Sequence, residues 1–362
     1  MKRGTYLEIN LNNFEDNLKN IIEYVKPKKF LPIIKANAYG MGANAIIDIL
    51  NKYVNTVCVA IVPEAMELKQ NGYNGDVIVL DTCMSEEMEE AIDNDLILGV
   101  CSEKEVIQLN NIAKEKGRVV KVHLEIEAGS FRAGMKITDL QKVIALCKEL
   151  TNICIDGVFV YFAGSETDEK YAQYQYEVLK QSVEYMSKNN INLRYVHMAN
   201  TGLIQEDNCI NAIRAGLVLY GHNQNDVFSG KVEIKPVSRL ISCISFLKEI
   251  ENGDSVGYSR KYVADKKEKI ATVPIGYADG ISRMLSNKGR VVINGTVCNI
   301  IGSVCMDSIL VDVTNVDNVK RGDLVYIWDN RNIFVEDIAK DSNTISQEII
   351  SRIAPRVERK YI

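Results

Sequence analysis

The segment KFLPIIKANAYGMG, residues 29–42, places a lysine directly after a short apolar run, with two glycines shortly beyond it. The run predicts a buried strand that ends at Lys35. An amine there is expected to be partly desolvated, which disfavours its charged form and leaves a lone pair for Schiff-base chemistry. Gly40 and Gly42 would leave room for a bulky ligand beside the backbone. The segment therefore predicts either a seat for a carbonyl cofactor or a structural lysine paired with a carboxylate.

The bulk composition is that of an ordinary globular protein. A chain of 362 residues suits a large domain plus a smaller one. Its net charge of -5 argues against nucleic acid as the main partner, so we expect a small-molecule substrate. Nine scattered cysteines without a CxxC pair and three histidines predict neither a disulfide framework nor a metal site. The sequence shows no signal peptide and no membrane-spanning run, which predicts a cytoplasmic protein with no membrane partner.

Short runs rich in Val, Ile and Leu alternate with amphipathic stretches along the first 220 residues or so, as in repeated βα units. Such a pattern predicts an α/β fold with an N-terminal (β/α)8 TIM-type barrel over residues 10–235, although an open parallel sheet would give the same count. The eight runs lie near Phe30 to Lys35, Thr56 to Val62, Val77 to Asp81, Leu96 to Cys101, Val119 to Glu127, Ile155 to Phe162, Tyr195 to Ala199 and Ile213 to Leu219. Residues 104–116 repeat apolar side chains at helical spacing, which predicts one of the intervening helices.

After Pro236 the sequence pattern changes to predicted strands separated by turn signals. Asn294-Gly295, inside an apolar alternating run, predicts a two-residue β-hairpin. The sequence therefore predicts a C-terminal mainly-β domain over residues 236–362, to which an N-terminal strand within residues 1–9 is assigned.

Polar residues collect at the predicted C-terminal ends of the barrel strands, where barrels of this kind hold their chemistry. Lys35, Arg132, Tyr161, His197 and Arg214 all fall at or near such ends. Packing alone does not explain this convergence, so we expect these residues to share one site.

Together with the strings Gly276-Tyr277-Ala278-Asp279-Gly280 and Cys305-Met306-Asp307, this pattern resembles the alanine racemase family over nearly the whole chain. That family consists of pyridoxal-phosphate enzymes with an N-terminal barrel and a C-terminal β domain. The resemblance implies that pyridoxal 5'-phosphate is the cofactor and that Lys35 carries it and acts as the base on one face of the substrate. It also implies that Tyr277 serves the opposite face from the second subunit, so that the active unit is a homodimer.

The resemblance assigns further residues to the cofactor and the substrate. Arg214 would face the pyridine nitrogen, and Arg132 and Tyr161 would lie beside the cofactor. The phosphate would be held by Tyr39, Thr201, Gly216 and Leu217, while His197 and Asn200 are expected to shape that loop. Met306, with Asp307 beside it, would lie near the substrate carboxylate of the partner subunit's site.

The chain departs from the family pattern at four positions. Glu125 stands where many members have a carbamate-bearing lysine, and we expect it to orient Arg132, with Glu127 as the alternative acid. Tyr161 replaces the usual histidine over the cofactor ring, and Pro355 replaces a tyrosine, which would widen the pocket. Ser303 replaces a common arginine, with no effect that we can assign.

The favoured function is interconversion of L- and D-alanine for bacterial cell-wall synthesis. Racemisation of serine or a longer amino acid is the alternative that the departures suggest. From other classes, a pyridoxal-phosphate decarboxylase of basic amino acids and a non-catalytic carrier of the same cofactor share the barrel and its lysine. A carrier should end near the barrel, and the decarboxylases have a cysteine-aspartate site that this sequence lacks.

Overall fold

The computed structural model of the chain describes residues 3–161, 163, 168–199, 209–222, 228 and 230–362. The chain begins with strand β1 (Tyr6–Ile9) and helix α1 (Leu11–Val25). Asn10 caps α1 by accepting the N–H of Asn13. One apolar face of this helix is buried in the core.

Eight short strands of the described residues form the first sheet, and they are β2 (Lys29–Pro32), β3 (Thr56–Val59), β4 (Asp76–Val79), β5 (Ile97–Val100), β6 (Val120–Ile126), β7 (Ile153–Val160), β8 (Tyr195–Ala199) and β9 (Ala212–Ala215). All neighbours pair in parallel, in the order β2-β9-β8-β7-β6-β5-β4-β3. A parallel bridge between Ile33 and Cys58 joins the two ends of this order. The predicted barrel is therefore confirmed, and the open sheet is not what forms.

The barrel strands alternate with helices, which are α2 (Lys35–Tyr39), α3 (Ile47–Tyr53), α4 (Val62–Gln70), α5 (Met88–Asp93), α6 (Glu103–Glu115), α7 (Ile137–Cys147) and α8 (Glu169–Lys188). Helix α6 confirms the helix predicted over residues 104–116, and Val106, Leu109 and Ala113 form its buried face. The first predicted run is too long, because β2 ends at Pro32 and Lys35 already belongs to the turn that follows.

The remaining strands and helices form the C-terminal domain, and they are β10 (Ser238–Cys243), β11 (Phe246–Ile250), β12 (Ser255–Val256), β13 (Tyr262–Val263), β14 (Glu268–Val273), β15 (Arg290–Ile293), β16 (Thr296–Ile301), β17 (Ile309–Asp312), β18 (Leu324–Trp328), α9 (Val335–Asp341), α10 (Ser346–Ser351) and β19 (Glu358–Tyr361). Most of these strands form one sheet with β1, which pairs antiparallel with β10 and parallel with β19. The predicted hairpin at Asn294-Gly295 is confirmed between β15 and β16.

The C-terminal end of the chain docks on the loop that follows the barrel's first strand. The Arg359 guanidinium donates to the carbonyl oxygen of Gly40 at 3.1 Å, and the Tyr361 hydroxyl donates to that of Met41 at 3.2 Å. A Cβ added at Gly40 would lie 2.5 Å from the carbonyl oxygen of Ile350, so only glycine allows this approach. The β domain therefore supports the Lys35 loop from outside the barrel. Over the described residues, no helix has the length and apolar character needed to cross a membrane.

Candidate active site

Lys35 is followed by a turn with an unusual backbone. Residues 36–39 all have φ near +54°, so the short helix α2 is left-handed over four consecutive residues that are not glycine. Each such residue costs roughly 1–2 kcal/mol relative to the right-handed form, and strain of this kind clusters at functional sites. Gly40 ends the turn at φ +83°, and its N–H donates to the carbonyl oxygen of Ala36 at 2.9 Å. Lys35 is half-buried, and its amine makes no hydrogen bond or ion pair with another described residue.

Tyr39 and Gly216 lie together at the mouth of the barrel. The Tyr39 ring stacks on Tyr220 with centroids 4.9 Å apart, and a Cβ added at Gly216 would collide with the Tyr39 hydroxyl. Burial raises the pKa of Tyr39 to about 12, so its hydroxyl remains a hydrogen-bond donor at neutral pH. Leu217 opens a 3-10 turn directly after Gly216. A phenol and backbone N–H groups at a barrel loop suit an anionic group. Asn200 and Thr201, assigned to the same loop, lie outside the described residues.

Arg214 is a buried cation, and the described residues satisfy only part of its guanidinium. Its side chain lies in β9 and is only 2% exposed, and Nη2 donates to the carbonyl oxygen of Val160 at 2.7 Å. Nη1 is also buried and has no partner among the described residues. The guanidinium lies 4.9 Å from the ring centroid of Phe159 and 4.7 Å from that of Tyr161. A buried charged donor without an acceptor is costly, which favours a bound ligand that supplies one.

Arg132 contacts the other side of the same cluster. Its guanidinium carbon lies 4.0 Å from the Tyr161 ring centroid, so one aromatic ring contacts two arginines. Burial raises the pKa of Tyr161, while both arginines oppose that shift. The ion pair of Arg132 is with Asp81, at 3.5 Å between Nη2 and Oδ1.

The two acids predicted to orient Arg132 are engaged elsewhere. Glu125 is 2% exposed and accepts a hydrogen bond from the Cys101 thiol at 3.3 Å, and burial raises its pKa. Glu127 accepts the backbone N–H of Gly129. Glu125 therefore makes no direct ion pair with Arg132, although the two groups lie close enough for the charge of each to act on the pKa of the other. The reason is geometric: β6 directs Glu125 into the barrel, whereas Arg132 lies on the loop beyond that strand.

His197 lies in the barrel interior rather than in the phosphate loop. Its Nε2 is 2.8 Å from Nδ1 of His123, whose Nε2 is 3.4 Å from a carboxylate oxygen of Asp156. Both imidazoles are fully buried, and burial lowers the pKa of each. They are therefore neutral core residues that fill the barrel beneath the site.

Tyr277 and Met306 lie side by side on the surface of the C-terminal domain. The N–H of Tyr277 donates to the carbonyl oxygen of Cys305, and the N–H of Ala278 to that of Met306, both at 3.0 Å. Tyr277 is 41% exposed and Met306 is 52% exposed. A Cβ at Gly276 would collide with the carbonyl oxygens of Cys305 and Met306, so this glycine permits the two segments to touch. Two exposed side chains on rigidly paired segments form a surface that a second chain could use.

Asp279 holds this surface in place. It is fully buried and accepts two hydrogen bonds from Arg3, at 2.6 and 2.7 Å, and one from Arg356 at 2.7 Å. Burial by itself would raise the pKa of Asp279, but the bonds from the two arginines and from the Gly276 N–H outweigh it and lower that pKa. Asp307, predicted to lie near substrate, also accepts from Arg356 at 2.7 Å. In this structure its carboxylate belongs to the scaffold behind Met306.

Two acids, one at the barrel mouth and one beneath Tyr277, were not singled out from the sequence. Asp81 ends the third predicted strand run, and the rule that functional residues collect at such ends could have found it. Asp279 lies inside the quoted string around Tyr277, but only the tertiary structure brings Arg3 and Arg356 to it.

The fold and this cluster define a two-domain class, a (β/α)8 barrel with a lysine at its mouth and a β domain that presents a tyrosine. Residues 9–224 match the family model for the alanine racemase N-terminal domain, and residues 237–361 match that for the C-terminal domain. The chain therefore belongs to the alanine racemase family.

Individual alanine racemases are similar to this chain along its whole length. Alanine racemase 2 of Caldanaerobacter subterraneus subsp. tengcongensis is 34% identical over 99% of this chain and 95% of its own. The solved alanine racemase of Clostridium difficile 630 superposes with a TM-score of 0.94 at 34% identity, covering 100% of this chain and 96% of that one. The alanine racemase from Bartonella henselae, solved with covalently bound pyridoxal phosphate, superposes at 0.89 with 26% identity and 99% coverage of both chains.

The substitution Asp279→Asn should lower the free energy of unfolding by roughly 2–3 kcal/mol at pH 7, because Arg3 and Arg356 lose their common anion while remaining partly hydrated. The pKa of Asp279 is lower in the folded state than in the unfolded state, so its contribution is present above its unfolded pKa and disappears as pH falls through the folded one. The difference from the natural chain should therefore shrink below about pH 4. Urea unfolding at several pH values measures it.

Asp139 provides the control because its side chain is 50% exposed and, among the described residues, its ion pair is with Lys142. Asp139→Asn should change the unfolding free energy by less than about 0.5 kcal/mol. A difference for Asp279→Asn that grows as the pH is lowered would contradict the assignment.

Proposed function

We propose that this protein is a pyridoxal-phosphate-dependent racemase that interconverts L- and D-alanine. The observation that carries the proposal is the buried Nη1 of Arg214, a charged donor to which no described residue offers an acceptor, in a barrel mouth that also holds Lys35. The pyridine nitrogen of the cofactor is such an acceptor. Because a guanidinium does not give up its proton, the ring nitrogen would stay unprotonated, which favours return of a proton over side reactions.

The residues present fit the rest of the cofactor as well. Lys35 has a half-buried amine for covalent attachment, while Tyr39, Gly216 and Leu217 offer a phenol and backbone N–H groups to the phosphate. Thr201 would complete that phosphate site. Tyr161, held between two arginines, would lie beside the ring where its hydroxyl could still hydrogen-bond.

Inversion at the α-carbon needs one proton-transfer group on each face of the substrate. Pyridoxal phosphate, when bound, withdraws electrons from the α-carbon and makes its proton removable. Lys35 would hold or return the proton on one face. Tyr277 would do so on the other, supplied by the partner subunit of a homodimer, and its exposure on a rigid surface supports that assignment. Arg132 and the backbone at Met306 would orient the substrate carboxylate.

The match of residues 237–361 to the alanine racemase C-terminal domain favours this function over a decarboxylase or a single-barrel cofactor carrier. Racemisation of serine or a longer amino acid is the second candidate. It is supported by Pro355, which is exposed and precedes Arg356, the arginine that donates to Asp279 next to Tyr277. Proline supplies no phenol at this position.

A panel of L-amino acids, supplied with pyridoxal phosphate and followed by chiral chromatography, decides between these candidates. We expect D-alanine to form faster than any other D-enantiomer. Preferential turnover of serine would select the second candidate. Failure to racemise any amino acid, with the cofactor bound at Lys35, would rule out both.

Sharing of the active site between subunits can be tested by complementation. Lys35→Ala and Tyr277→Phe should each abolish most racemisation as homodimers. Co-expressed with different tags and purified as a heterodimer, the two variants should recover about half of the natural activity, because one of its two sites is then intact. A heterodimer no more active than its parents would show that Tyr277 does not act on the partner's Lys35.

The ion pair of Arg132 predicts which acid matters for substrate binding. Asp81→Asn should raise the KM for alanine by about two- to fivefold, the range expected for losing a partly exposed pair. Glu125→Gln should stay within about twofold of the natural enzyme, because a buried amide can still accept from Cys101. Steady-state kinetics on both variants measures this, and the reverse ranking would restore Glu125 as the partner of Arg132.

A further inference from the structure

Glu64 contacts the peptide group that immediately follows Lys35. One oxygen of its carboxylate accepts the backbone N–H of Ala36 at 2.6 Å. That N–H belongs to the first residue of the left-handed stretch, and the same peptide group carries the carbonyl carbon of Lys35. Hydrogen bonds to a carboxylate are shorter and stronger than those between neutral groups. The start of the strained turn is therefore held by a charge.

The other oxygen of Glu64 holds a second strand end. It accepts the N–H of Ala60 at 2.9 Å and that of Ile61 at 3.4 Å, just beyond β3. Glu64 itself lies in the first turn of α4, where a carboxylate is favoured by the helix dipole and by free N–H groups. One side chain thus ties the exits of β2 and β3 together, at the seam where the bridge between Ile33 and Cys58 joins the sheet ends.

The far end of the turn is held differently. The Asn37 amide oxygen accepts the N–H of Ala43 at 2.7 Å, and Gly40 is held by Arg359 and packs against Ile350. None of these contacts involves the Lys35-Ala36 peptide group, and none uses a carboxylate. Loss of Glu64 would therefore free the lysine end of the turn while leaving the other end in place.

We propose that Glu64 is a positioning residue for Lys35, and that its carboxylate fixes the Lys35-Ala36 peptide group so that the amine points at the reacting atoms. The inference rests on the proposed function, because it assigns Lys35 as the cofactor attachment site. A displacement of about 1 Å at a reacting group can cost about a hundredfold in rate, so a hydrogen bond one peptide away matters.

The test compares Glu64→Ala and Glu64→Gln with Glu67→Gln. Glu67 is an exposed residue of the same helix, and its carboxylate accepts a hydrogen bond from the Asn44 side chain. Pyridoxal phosphate is added to cofactor-stripped protein, samples are reduced with borohydride over time, and peptide mass spectrometry gives the rate of labelling at Lys35. We expect Glu64→Ala to label about 10- to 100-fold more slowly, Glu64→Gln to lie in between, and Glu67→Gln to match the natural chain.

Hydrogen-exchange mass spectrometry of residues 33–42 provides the structural readout. Exchange there should rise in Glu64→Ala while the exchange of the C-terminal domain stays unchanged. Should Glu64→Ala fail to fold, Glu64→Gln decides: labelling slower than in Glu67→Gln supports the proposal, and equal labelling overturns it.

The two proposals can fail separately. If Lys35 is labelled normally in Glu64→Ala and that variant racemises at the natural rate, the role of Glu64 is refuted and the proposed function stands. If Lys35 is labelled in the natural chain and Glu64→Ala slows that labelling, yet no amino acid is racemised, the proposed function fails and the positioning role stands.

Discussion

The left-handed turn after Lys35 is the constraint on which the site depends. Four residues with side chains adopt a conformation that costs roughly 1–2 kcal/mol each, and they keep it only because their surroundings hold them. Glu64 accepts the N–H at the start of the turn, and Gly40 ends it. Arg359, in the last strand of the β domain, donates to the carbonyl oxygen of Gly40. The turn is therefore a product of both domains, although all of its residues come from the barrel.

The same C-terminal segment serves a second surface. Arg359 donates to Gly40 of the lysine loop, while Arg356, three residues earlier, donates to Asp279 and Asp307 beneath Tyr277 and Met306. One short stretch of chain thus supports both the lysine and the tyrosine assigned to proton transfer. In the proposed homodimer these two groups would act in different active sites. The position of the C-terminal segment would therefore affect both sites.

The barrel interior explains why Glu125 makes no direct ion pair with Arg132. Strand periodicity correctly places His123 and Glu125 on one face of β6, and that face points into the barrel. Glu125 is consequently buried with Cys101, and the loop that carries Arg132 passes above it. Asp81, which follows the end of β4, instead makes the ion pair with Arg132. Sequence spacing does not report which acid the loop after β6 brings Arg132 close to, so the pairing with Asp81 came only from the structure.

The sequence by itself determined the barrel, the β domain, the hairpin at Asn294-Gly295 and the family, because hydrophobic periodicity, turn chemistry and short motifs are local properties of the chain. It also placed Lys35 and Arg214 near strand ends. Only the tertiary structure decided that Lys35 begins a left-handed turn, that no described residue pairs with Nη1 of Arg214, and that Arg3 and Arg356 converge on Asp279. These features depend on contacts between residues far apart in the chain, and no local pattern encodes such contacts.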